Sequence, residues 1–102
     1  MITHMVLLKV RRQAPEQAVR EVFAALAGLK ATIPGLLSFS GGAYTSGEGL
    51  NRGYTHGFCM TFRDARARDV YLDHPEHVKV KELVLGVLDG GVDGVVAFDY
   101  ES

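Results

Sequence analysis

Tryptophan is absent from this 102-residue chain, cysteine occurs once and proline three times. No apolar run reaches the roughly 18–20 residues that would cross a membrane. A lone Cys59 excludes an internal disulfide and a cysteine-built zinc site, and makes a reducing compartment, the cytoplasm, the expected setting. The net charge is only −1, with lysines and arginines scattered among acids, so no basic stripe is offered to nucleic acid or to an anionic membrane. The N-terminus lacks the basic head, apolar run and cleavage site of a secretory leader. What is plentiful is apolar: 47% of the residues are hydrophobic. One domain of this size buries about two-thirds of the surface its unfolded chain exposes, so it folds without staples.

The apolar residues are patterned. Met1 to Val10 is almost wholly apolar up to Lys9, which predicts a strand covered on both faces. Pro15 then opens a helix in which Val19, Val22, Phe23, Leu26, Leu29 and Ile33 recur at three and four residues, and Pro34-Gly35 stops it. Leu36 to Tyr44 reads as a second strand, with Leu37 and Phe39 on one face and Ser38 and Ser40 on the other. Its Gly41-Gly42 pair suggests a bulge or a close backbone contact. After the Gly-, Ser- and Asn-rich loop Thr45 to Gly53, the segment Tyr54 to Phe62 alternates strictly. Tyr54, His56, Phe58, Met60 and Phe62 share one face, and Cys59 on the other reads as a small buried hydrophobe. Asp64 is placed to cap a helix through Tyr71, and Pro75 restarts helix through about Leu88, with Val78, Leu83, Val84, Val87 and Leu88 available for packing. A last strand, Val92 to Tyr100, follows Asp89-Gly90-Gly91.

This order, β-α-β-β-α-β, predicts an α+β domain of ferredoxin-like design: a four-stranded antiparallel sheet with its helices on one face. One layer of helices covers only one face of the sheet. A second copy laid sheet to sheet would cover the other, so the expected partner is the chain itself, as a homodimer closed into an α/β barrel.

Chemistry concentrates in Tyr71-Leu72-Asp73-His74-Pro75-Glu76-His77. A phenol and two imidazoles, the groups that move protons near neutral pH, stand at a helix start. Pro75 suits the first helical position, with His74 as the cap before it. His77 then falls in the first turn, where the exposed N–H groups and the helix dipole disfavour an imidazolium. By residue type alone, His77 is either a general base or a helix-start histidine bonded to backbone, and Tyr71 either a donor to an enolate oxygen or a boundary ring. Phe23, Leu26, Phe58, Val84 and Leu88 either line an apolar cavity between helices and sheet or simply fill the core. Metal finds little support. His4 and His56 fall toward opposite ends of neighbouring strands, too far apart to share a zinc ion, and His74 with His77 have no third ligand. The glycine pairs lack phosphate-loop spacing, and the loop around Glu48 has no calcium pattern.

His4 with its apolar strand and Lys9, Ile33-Pro34-Gly35, Gly53-Tyr54-Thr55-His56, the strand-ending Phe62, Tyr71-x-x-His74-Pro75-x-His77 and the terminal Phe98-Asp99-Tyr100 together resemble the stress-responsive dimeric α/β-barrel (Dabb) family. The resemblance spans nearly the whole chain. It implies a ferredoxin-like protomer that pairs through its sheets. From a plant polyketide cyclase of that family it also implies an aldol closure with no metal or organic cofactor, in which a histidine acts as base and a tyrosine assists. The matching positions are His77 and Tyr71, while His4, Phe23, His56 and Asp99 match other residues of the pocket region. Gly86 to Gly94 is longer here and rich in small residues, so the pocket floor is expected to differ. The resemblance is equally compatible with a non-catalytic dimer that holds an apolar small molecule in the same cleft.

Overall fold

In the computed structural model, which describes residues 1–102, the first strand β1 (Ile2–Leu8) lies in the middle of the sheet. It is bonded on one side to β3 (His56–Phe62) and on the other to β4 (Val95–Glu101), both antiparallel. The outer strand β2 (Leu36–Ala43) pairs antiparallel with β3, giving the order β2-β3-β1-β4. Three α-helices, α1 (Glu16–Gly28), α2 (Ala65–Asp73) and α3 (Pro75–Val87), complete the ferredoxin-like arrangement. No helix is long and apolar enough to cross a membrane.

Alternation sorts the sheet residues. Ile2, Val6 and Leu8 of β1 and Met60 and Phe62 of β3 point toward the helices, where they meet Val22 and Leu26 of α1 and Tyr71 of α2 in the buried core. The residues between them face the other way. There Met5, Leu7, Val96, Phe98 and Tyr100 stand exposed on a face that no helix covers.

Several details depart from the expected pattern. A bulge between Leu36 and Ser38 sets two β2 residues against Phe62, so Leu36 rather than Leu37 shares the buried side with Phe39, and Leu37 is exposed. Of the Gly41-Gly42 pair only Gly41 marks a close approach: a Cβ there would lie 2.7 Å from the Phe58 side chain and 2.8 Å from the Phe23 ring, whereas one at Gly42 would meet nothing. Proline 15 caps α1 instead of opening it. On α3 the inward residues are Val80, Val84 and Val87, whereas Val78 and Leu83 are exposed, because the break at Pro75 sets the rotation of the new helix. Residues Gly91–Gly94 form a 3₁₀ turn, which delays β4 to Val95. Cys59 is only half-buried, since it belongs to the uncovered face of β3.

Candidate active site

The site begins with a helix that stops and restarts. Asp64 caps α2 by accepting from the Ala67 amide at 2.8 Å, and two turns later Tyr71 is delivered into the core, 1% exposed. After Asp73, His74 turns extended (φ −67°, ψ 134°) and caps α3, its Nδ1 accepting from the Glu76 amide at 3.1 Å, with Pro75 at the first helical position. This takes away the amide that an unbroken helix would have supplied to the Leu72 carbonyl. His77, in the first turn of α3, supplies the replacement: its Nδ1 donates to Leu72 O at 3.0 Å.

That bond decides the chemistry of His77. A carbonyl only accepts, so the ring proton of the neutral imidazole sits on Nδ1 and the lone pair sits on Nε2. Burial pushes the His77 pKa below the ordinary imidazole value. The Leu72 hydrogen bond opposes this, while the charge of Lys81 and the neighbouring His4 and His74 add to the lowering. His77 is therefore a neutral base near pH 7. Its ring centroid lies 4.2 Å from that of Tyr71, which in turn contacts Phe62 at 5.0 Å and His4 at 6.0 Å. Burial, reinforced by the negative charge of Asp99, pushes the Tyr71 pKa upward, so the phenol stays protonated and keeps an O–H to donate.

His4 arrives from β1 and is held from the opposite side. It pairs in register with Asp99 of β4, and its Nδ1–H donates to the Asp99 carboxylate at 2.5 Å. Asp99 also accepts from Arg68 of α2 at 2.7 Å. Burial pushes the Asp99 carboxyl up, but the hydrogen bonds from Arg68 and His4 outweigh it and hold the group below its usual range. A carboxylate fixed in this way sets the His4 tautomer and leaves its Nε2 as the free nitrogen.

Beside these rings is a hollow of about 260 Å³ between α3 and the β1–β4 half of the sheet. His4, Leu26, Phe58, Tyr71 and His77 all line it. Asp99 stands behind His4. Phe23 and His56 lie elsewhere: their rings pair with each other at 5.7 Å, and His56 sits opposite Leu8, four residues along β1 from His4. The His56 Nδ1 bonds the Thr55 hydroxyl at 2.8 Å, and burial lowers its pKa. Val84 also faces the hollow, whereas Leu88 belongs to the closed core. Lys81, Val92 and Ala97 are lining residues that the sequence reading passed over. The signal for Lys81 was available: it lies four residues beyond His77, one turn along the same helix face.

Fold and site together define a ferredoxin-like α+β protein with a histidine-lined apolar cleft between its helices and sheet. The chain belongs to the stress responsive A/B barrel domain family, Dabb, whose model matches residues 2–102. Stress-response A/B barrel domain-containing protein HS1 of Arabidopsis thaliana is 31% identical over 100 residues, which is 98% of this chain and 88% of that protein. Among solved structures, a dimeric ferredoxin-like protein of unknown function from Jannaschia sp. CCS1 matches with a TM-score of 0.89 at 31% identity, covering 99% of this chain and 98% of the other. The hydroxynitrile lyase of Passiflora edulis matches with a TM-score of 0.86 over 97% of this chain and 90% of its own, at 16% identity. At that identity the likeness is one of fold.

Proposed function

We propose that this protein is a homodimer that takes an apolar carbonyl compound into the cleft and abstracts a proton next to the carbonyl, without a cofactor. The observation that carries this reading is the tautomer of His77: with Nδ1–H committed to Leu72 O, the nitrogen left free is the basic one, in a ring that lines the hollow. In the proposed step Nε2 takes the proton from carbon, and the C–H electron pair moves into the carbonyl to form an enolate. The Tyr71 hydroxyl donates to the enolate oxygen, a role suited to a phenol that burial keeps protonated. An aldol closure of a polyketide chain would start from the same enolate.

The test is deuterium uptake by apolar ketones and β-keto thioesters in heavy water, followed by NMR. The parent protein should accelerate exchange, His77→Ala should slow it about 10²–10⁴-fold, and Tyr71→Phe about 10²-fold. No exchange with any of these compounds, or equal rates in parent and His77→Ala, overturns the reading. Binding that persists without turnover and ignores His77→Ala would mark a carrier instead.

The homodimer is supported by the exposed Met5, Leu7, Val96, Phe98 and Tyr100 on the uncovered sheet face, and by the dimeric description of the Jannaschia relative. Light scattering at micromolar concentration should give twice the protomer mass, and Phe98→Asp should lower it. A clean monomer in the parent overturns this part.

A further inference from the structure

Most of the cleft is hydrocarbon. Apart from His4, His77 and Lys81, every residue lining it is hydrophobic or aromatic, and none carries a carboxylate. The imidazoles of His4 and His77 are committed through Nδ1 to Asp99 and to Leu72 O, and burial keeps the Tyr71 phenol protonated. Lys81 is thus the one lining side chain with a full charge to spare.

Its position follows from the helix. Four residues beyond His77, it lies one turn further along the same face of α3, lining the hollow with His77 while remaining exposed to solvent. No ion pair of the chain engages it. The other cations near the site are spent: Arg68 is bonded to Asp99 and Asp69, and Lys79 to Glu76. The charge of Lys81 is felt inside the site, since it contributes to lowering the pKa of His77.

We propose that Lys81 is the anion anchor of the cleft, selecting ligands that have an apolar body and a carboxylate or phosphate head. This rests on reading the hollow as a ligand site and narrows the substrate class to amphipathic acids. The apolar body lies among Leu26, Phe58 and Val84, while the head stays at the rim beside the ammonium. There it keeps part of its hydration, so the desolvation that would penalise a buried anion is largely avoided. The anchor also fixes which stretch of the ligand passes His77.

Calorimetric titration of octanoate, octyl phosphate and octanol into the full chain tests this. At least one anionic probe should bind about tenfold tighter than octanol, the scale of a charge-assisted hydrogen bond, and the preference should shrink with salt. Lys81→Gln should remove the preference while leaving octanol binding unchanged, and Lys81→Arg should retain it. Circular dichroism of both variants should match the parent, since Lys81 is exposed. A preference that survives Lys81→Gln, or octanol binding as tightly as both anions, overturns the anchor alone. If no probe binds, the ligand-site reading fails with it. Loss of deuterium exchange in His77→Ala with the anionic preference intact would separate the anchor from the base.

Discussion

Of the histidine–aromatic pairs between the helices and the sheet, His77–Tyr71 borders the hollow and His56–Phe23 does not. His77 and Tyr71 stand beside it on the β1–β4 side, whereas His56 and Phe23 stand at the far end of β1, against β2 and β3. Residue types are the same, an imidazole against a ring, and both imidazoles are lowered by burial. What differs is the opposing surface. At the far end, Gly41 lets Phe23 and Phe58 close down onto the strand, with no room even for a Cβ. On the hollow side, the β4 residues that line it are Val95 and Ala97, and the side chains of α3 leave space above them. Small residues make a tight contact where a ring fills the gap and a hollow where nothing does.

Exchanging the two environments tests this contrast. Phe23→Ala should open a new void beside His56 and cost about 3 kcal/mol of stability in urea denaturation. The pKa of His56 should move back toward the ordinary value as water enters. Ala97→Phe is the reverse experiment: it should fill the hollow and weaken octanol binding about tenfold or more, while changing stability by no more than roughly 1 kcal/mol. A protein that binds octanol equally well with a phenyl ring at this position has its site elsewhere.

The smallest effect expected is on pH dependence. Both His77 and His56 are held below the unfolded imidazole value of about 6.5, so below that pH the unfolded chain binds more protons than the folded one. The stability associated with the two neutral rings is present above about pH 6.5 and is lost as the pH falls from there through their lowered folded values. Thermal midpoints measured between about pH 7 and 5 should therefore decline, and His77→Gln and His56→Gln should each flatten part of the slope. Asp99 adds a separate loss at lower pH, because its carboxyl is held below the usual carboxylate range.

The strict alternation of Tyr54 to Phe62 and the three- and four-residue spacing in α1 were enough to place most of the sheet and the first helix. Local rules also gave His74 as the cap before Pro75, because a proline and the residue ahead of it have few conformations open to them. Leu37 was misplaced because a bulge leaves no mark in polarity when both candidate residues are leucine. Val80 was missed because the phase of α3 depends on where α2 ends, a tertiary matter. The residues of the site were legible by type, but their partition was not. The antiparallel pairing of β1 and β3 already sets His56 apart from His4, but that Phe23 joins His56 rather than the hollow follows only from packing. A backbone bond was one of the two readings open to His77, but its partner Leu72 O was not, since the bond exists only because the helix breaks between them.

The order of strands has a consequence for biogenesis. Of the four strands β1 is made before the others yet lies inside the sheet, and β4, the last of the four, must pair beside it. Until then the apolar N-terminal segment has one edge unpaired and prone to association with other nascent chains. Asp99 also arrives only with this strand, so His4 lacks its carboxylate partner until β4 has been made. A chain stalled before β4 has helices and most of a sheet, and lacks one wall of the hollow.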